Sequence, residues 1–148
     1  MALFIQYQGD GSWEGVETKL CKTEGSGFKD ILRRQILGPE TKDTGFELRY
    51  FEIKSGGYSS LEIHDHTHTV IIMQGRGRAI LGNRVVDVRP QDVCHTGPGE
   101  VHQFQANQGE TLGFYCMVHK DRDRPRIPTD AELELLRKNP ELAAAIRI

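Results

Sequence analysis

Sixteen glycines run in singles and pairs through the 148 residues, and the apolar stretches between them are short. Before residue 128 this punctuation leaves room for strands joined by tight turns but for few long helices. It is an all-β signature. Phe46 to Ile53, Tyr58 to Ile63, Val70 to Gln74, Arg78 to Leu81, Arg84 to Val88, Val101 to Gln105 and Leu112 to His119 read as strands. Their spacing suits a sandwich or small barrel. The pair Gly82-Asn83, between Leu81 and Arg84, predicts a two-residue hairpin turn with positive φ angles. Phe28 to Leu37 fits a helix about as well as an edge strand by its apolar spacing, and its neighbours favour the strand.

The β region ends at Asp121 to Pro128 (DRDRPRIP), a charged connector with two prolines. Thr129 then caps a helix whose third residue, Glu132, reaches back to the cap, with Leu133 and Leu136 as its apolar stripe. Asn139-Pro140 stops that helix and starts another, to about Ile146. The expected organisation is one barrel over residues 1–128 with a helical tail, 129–148, packed on it.

Charge and composition exclude several functions. Nineteen Lys and Arg against 21 Asp and Glu give a net charge of −2 without a basic block, which argues against nucleic-acid binding. No apolar run approaches the roughly eighteen residues of a membrane span, so a soluble protein is expected. Met1 to Tyr7 is too short and uncharged for a signal peptide. Cys21, Cys94 and Cys116 are odd in number and lack CxxC spacing, as reduced thiols in a cytoplasm would be.

Histidine carries the chemistry. Four of the six are His64, His66, His68 and His102, and in an extended chain Glu62, His64, His66 and His68 share one face. A water-facing loop of inert imidazoles is the bland reading. Such a cluster in an apolar β context is what a divalent metal selects, because the ion makes close approach of imidazoles and a carboxylate favourable. Alternation puts Leu112, Phe114, Cys116 and Val118 on the apolar face of their strand, aiming the Cys116 thiol inward. There it is either a small inert hydrophobe or, beside a metal, a nucleophile or proton carrier. Arg49 and Tyr50 sit on a core strand and are candidate substrate-binding residues. A buried arginine needs an anion, which a substrate phosphate or, more plainly, Glu47 on the same face would supply. Cys94 and His95 are held in reserve as pocket residues. Gln105 lies on the opposite parity from His102 and reads as structural, and Arg122 to Arg126 reads as a solvated connector.

The stretch Gly56 to Gly75 (GGYSSLEIHDHTHTVIIMQG) and the later GPGEVHQF resemble the two motifs of the cupin superfamily, G-x5-H-x-H-x3-E-x6-G and G-x5-P-x-G-x2-H-x3-N. Gly56, Glu62, His64, His68 and Gly75 reproduce the first spacing without a gap, with Glu and His exchanged at two positions. Gln91, Gly97, Gly99 and His102 fall on the G, P, G and H positions of the second, and Ala106 stands where Asn is usual. The resemblance covers about residues 46 to 119. It implies a double-stranded β-helix, or jelly-roll, barrel holding one divalent ion through Glu62, His64, His68 and His102, with His66 as the rival ligand to Glu62. Mn, Fe, Zn, Ni and Co all suit such donors.

The pattern ELRYFEIKSGGYSSLEIHDHTHTVIIMQGRG, PGEVHQF, GFYCMVHKDRDRP and a helical tail further resembles a subgroup of short bacterial cupins that includes methylthioxylulose-phosphate methylsulfurylases. Their manganese-dependent activity displaces a methylthio group from a pentulose phosphate with a thiol, and the likeness makes Cys116 the thiol candidate. The leading expectation is therefore a metal-dependent enzyme on a small sugar phosphate, working by isomerisation, elimination or methylthio displacement through an enediolate. A non-haem iron dioxygenase of a small thiol, diketone or phenol, and a non-catalytic ligand-binding or sensing barrel, are the alternatives. No nucleic-acid or membrane partner is expected, and such barrels commonly form homodimers that hide their edge strands.

Overall fold

A computed structural model of the chain describes residues 2–20, 24–25 and 27–148. Cys21 lies outside the described residues. The short strands β1 (Tyr7–Gly9) and β2 (Ser12–Trp13) form a hairpin. β3 (Thr18–Leu20) and β4 (Glu24–Gly25) pair with β5 (Phe28–Leu37), which lies against the long β6 (Phe46–Tyr58). The sheet continues with β7 (His68–Gln74), β8 (Gly77–Leu81), β9 (Arg84–Val88), β10 (Val93–Thr96), β11 (His102–Ala106) and β12 (Leu112–His119). Two short helices follow, α1 (Asp130–Arg137) and α2 (Pro140–Ala145). The spatial order β10-β7-β12-β6-β11-β8-β9, with β5 also on β6, is one antiparallel sheet curled around an interior, the all-β fold expected of the chain.

Two glycines curl it. Strands were expected over 46–53 and 58–63, with a turn between them, but β6 runs unbroken to Tyr58. Gly56 adopts a φ of 68°, and a Cβ on Gly57 would lie 2.6 Å from the Lys29 carbonyl oxygen. The strand bends there instead of ending. Its first part pairs with β12 (Ile53 with Leu112) and its last residue with β11 (Tyr58 with Gln105). Residues 59–63 then run on beside β11 outside any named strand, with the Ser59 amide on the Phe104 carbonyl and isolated bridges from Glu62 to His102 and from Ile63 to Arg126. The Gly82-Asn83 turn joins β8 to β9 as expected, but only Gly82 takes a positive φ (60°), the pattern of a II′ rather than a I′ turn.

The larger core gathers Ile31, Ile53, Val70, Ile72, Phe104, Leu112, Phe114, Cys116 and Val118 under one concave surface. The β12 residues expected inward are all buried. The smaller core lies behind β11, where Leu142, Ala145 and Ile146 of the tail cover Leu61, Ile63, Ile80 and Val101. Two buried glutamines of β11 seal it. Gln103 Nε2 donates to the carbonyls of Ser59 (2.8 Å) and Arg147 (2.7 Å), and its Oε1 accepts the Arg147 amide at 3.0 Å. Gln105 Nε2 donates to the Ala145 carbonyl at 2.6 Å. The bond to Ala145 satisfies a carbonyl that the end of α2 would otherwise leave orphaned. α1 carries the expected capping box between Thr129 and Glu132. Among the described residues no helix is long and apolar enough to cross a membrane.

Candidate functional site

The segment that leaves β6 is pinned across the interior by reciprocal backbone bonds between Glu62 and His102, 3.0 Å each, and by the Gly99 amide on the His64 carbonyl at 2.8 Å. These bonds bring His64 beside His102, at the start of β11. His68, the first residue of β7, faces the same space. The ligand nitrogens of His64, His68 and His102 lie within 4.8 Å of one another, and all three residues are buried.

The hydrogen bonds around the triad set its chemistry. Nδ1 of His64 donates to the His66 carbonyl at 2.6 Å, and Nδ1 of His102 to the Glu100 carbonyl at 3.1 Å. Each bond leaves Nε2 as the lone-pair nitrogen, and the two Nε2 atoms face each other at 3.2 Å. Nε2 of His68 is buried and has no hydrogen-bond partner among the described residues. Burial, with the neighbouring imidazoles, lowers the proton affinity of all three, His102 to a pKa of about 4. They are neutral at neutral pH. Two lone pairs face to face, with a third imidazole nitrogen converging on them, fit a divalent cation, whose bonds to imidazole of about 2.0–2.1 Å bring such nitrogens together.

The triad opens on a cavity of about 640 Å³. Its inner part is apolar, with Phe28, Ile31, Phe51, Ile53, Val70, Phe104 and Phe114 on the wall. Level with the histidines, the Cys116 thiol lies opposite Arg49 across the β6–β12 register. Arg49 Nη2 donates to Sγ at 3.2 Å, and Sγ is 3.6 Å from Nδ1 of His68. Burial pushes the Cys116 thiol up, and the Arg49 charge opposes that rise. Nε of Arg49 is buried without a partner among the described residues, and the guanidinium stands over the Phe51 ring at 5.3 Å. Among the described residues no direct ion pair joins Arg49 to Glu47, whose Oε2 meets Arg122 at 2.8 Å and Gln35 at 3.2 Å; the Arg49 charge acts on that carboxylate only from a distance.

Glu62 lines the cavity but stands outside the three-histidine group, and burial raises its proton affinity. His66 also lines the cavity. Its ring stacks on His64, 3.7 Å between centroids, and its Nδ1 meets Asp123 Oδ1 at 2.7 Å. Tyr50 does not reach the cavity. Alternation turns it to the other side of β6 from Arg49, where it packs edge-on against Trp13 (4.9 Å) and Tyr115 (5.5 Å). Cys94 is buried in the core, and exposed His95 meets Thr69, so neither is a pocket residue.

Sequence reasoning missed the rim. Lys120, Arg122, Asp123, Arg124 and Pro125 line the mouth of the cavity, together with Arg33 of β5. The connector expected to be a solvated link is a strap across the opening. Only its density of charge next to prolines, DRDRPR, hinted that it could do more.

A cupin domain model matches residues 49–118. A 1-methylthio-D-xylulose 5-phosphate methylsulfurylase of Rhodospirillum rubrum is 43% identical over 141 residues, 95% of this chain and 90% of its own. Among solved structures, a cupin 2 conserved barrel domain protein from Rhodopseudomonas palustris superposes with a TM-score of 0.92 at 37% identity, covering 99% of this chain and all of its own. A cupin-2 domain protein from R. rubrum gives 0.86 at 40% identity, over 95% and 94% of the two chains. The departures from the second motif have a visible consequence. Gln91, where the motif has glycine, keeps a φ of 77°, a left-handed conformation costing roughly 1–2 kcal/mol for a residue with a Cβ.

Proposed function

The chain belongs to the cupin family, and on that premise we propose that it is a divalent-metal-dependent enzyme that removes the methylthio group from a pentulose phosphate. Its substrate in this reading is 1-methylthio-D-xylulose 5-phosphate, the compound for which the R. rubrum relative is named. The observation that carries the proposal is the joint presence, in one cavity, of three bare imidazole nitrogens, a thiol held by a guanidinium, and five cationic side chains against three carboxylates. An anionic, oxygen-rich and partly apolar substrate matches those surroundings.

His64, His68 and His102 would hold the ion, and Glu62, which lines the same cavity, would be the carboxylate available as a fourth donor. Once bound, a divalent ion withdraws charge from a substrate carbonyl as a Lewis acid. With Nε2 of His68 committed to it, Nδ1–H of His68 points a second donor at Cys116 Sγ, beside that of Arg49. Two donors on one sulfur favour the thiolate. The Cys116 sulfur then bonds to the methylthio sulfur as the substrate's carbon–sulfur bond breaks. The electron pair of that bond stays on C1, next to the carbonyl, and a proton takes the place of the methylthio group. The products are a 1-deoxy-pentulose phosphate and a methyl disulfide on Cys116. An external thiol attacks that disulfide, leaves as its own methyl disulfide and restores Cys116. Arg33, Arg122 and Arg124 at the rim receive the phosphate, and the phenylalanine wall takes the methyl end.

The homodimer and the cytoplasmic setting belong to the same proposal. Met73, Val93 and Met117 are exposed on the outer face of β7, β10 and β12, where a second copy would cover them.

Incubation of metal-reconstituted protein with 1-methylthio-D-xylulose 5-phosphate and an external thiol tests the reaction by mass spectrometry of both products. Cys116→Ser is expected to keep its metal content and lose turnover by at least about a thousandfold, as removal of a covalent nucleophile does. Normal turnover in that variant returns Cys116 to a packing role, and absence of product from the wild type rejects the substrate.

A further inference from the structure

We propose that Asp123, on the strap, is a positioning residue of the metal centre. The proposal rests on the reading of His64, His68 and His102 as ligands. Asp123 is the only strap side chain, among the described residues, that bonds to the histidine-bearing segment, and it does so three times. Its Oδ2 accepts the Asp65 amide at 2.9 Å, and its Oδ1 accepts the His66 amide at 2.8 Å and the His66 ring Nδ1–H at 2.7 Å. One carboxylate thus fixes the backbone of two successive residues and the orientation of a ring.

What it fixes is the support of His64. The His66 ring lies flat on the His64 ring, 3.7 Å between centroids with 7° between planes. The His66 carbonyl is also the acceptor that holds Nδ1 of His64 and so turns Nε2 toward the centre of the triad. Both restraints on His64 pass through residue 66, and the position of residue 66 is set by Asp123. The strap itself is tied down independently on either side of Asp123. Arg122 pairs with Glu47 at 2.8 Å, and the Arg126 backbone bridges to Ile63 at 2.8 and 2.9 Å. Asp123 therefore holds the loop against a strap that is already anchored. A ligand oriented through an outer partner binds metal more tightly than one free to turn, typically by 10–100-fold.

The test compares wild type with Asp123→Asn and Asp123→Ala, each stripped of metal and titrated with Mn(II) or Co(II) against a competing chelator. Melting of the metal-free forms is followed in parallel. The expected result is affinity about 10–100-fold weaker in Asp123→Ala and an intermediate loss in Asp123→Asn, which keeps one acceptor oxygen without the charge. Metal-free melting temperatures should stay close to wild type, and the Co(II) absorption of the Asn variant should change while all three ligands remain. Affinity and Co(II) spectrum unchanged in both variants, with wild type binding about one equivalent, would overturn the positioning role alone. A loss of affinity matched by collapse of metal-free stability in both variants overturns it too, since Asp123 would then merely hold the fold. Wild type that binds no metal overturns the ligand assignment itself.

Discussion

Strand β11 shows two unlike faces to two unlike neighbours. On one, His102 and Phe104 line the cavity; on the other, Gln103 and Gln105 lie beneath the C-terminal tail. Burial does not separate them, for His102 is 3% exposed and Gln103 0%. Hydrogen bonding does. Under the tail both glutamine amides find acceptors within the chain, among them the carbonyls of Ala145 and Arg147 at the end of the tail. In the cavity, Nε2 of His68 and Nε of Arg49 have no partner among the described residues, and two imidazole lone pairs face each other. A buried polar group without a partner costs stability, and where a fold keeps several together a ligand is the natural compensation. The two faces are thus equally buried, but the polar groups of one are paired within the chain and those of the other converge on a cavity.

The largest effect should come from removing a lone pair from the cavity face. His102→Ala is expected to take metal content from about one equivalent per chain to nearly none, since three imidazoles are already few for a tight site. Elemental analysis of protein reconstituted and then desalted reads this directly. Wild-type stoichiometry in His102→Ala would mean that the cavity face does not hold the ion. On the tail face the largest expected cost is one of packing. Leu142 of α2 is 1% exposed, so Leu142→Ala should destabilise the protein by about 2–5 kcal/mol in urea unfolding, with metal stoichiometry unchanged. A Leu142→Ala protein of full stability would show the tail to be loosely seated.

How much of this could be read beforehand differs between the same two faces. Alternation and glycine spacing located the strands from Val70 onward, β10 excepted, to within about two residues, because a half-buried strand writes its period into its side chains. The inward aim of Cys116 followed from the same rule. So did the facing of Arg49 and Tyr50, had parity been applied to them: neighbours on one strand point to opposite sides, so both could not enter the cavity. β1 to β4 and β10, two to four residues each, are too short to show a period. The bend in β6 escaped because Gly56-Gly57 reads as a turn when only local conformation is considered, although the pair serves to pass one strand between two partners. The histidine cluster was legible through its spacing. Lys120, Arg122, Asp123 and Arg124 were not, because a connector carries no period and its course over the cavity is decided by distant contacts such as Arg122 with Glu47.

The smallest expected effect is also the sharpest probe of whether the faces are independent, because its target adjoins His102 in sequence. Gln103→Met preserves length and volume but removes every hydrogen bond that Gln103 makes. The carbonyls of Ser59 and Arg147 and the Arg147 amide would then be left without their side-chain partner. Unsatisfied buried groups of this kind cost about 1–3 kcal/mol, so the urea midpoint should fall by that equivalent. Gln103 points away from the triad, and His102 is held by its own bonds to Glu62 and Glu100. Metal affinity should accordingly move by less than about twofold, well under the tenfold that 1.4 kcal/mol would represent. If chelator competition shows affinity falling as far as stability does, the strand transmits strain from the tail to the ligand. The tail would then have to be counted as part of the metal centre.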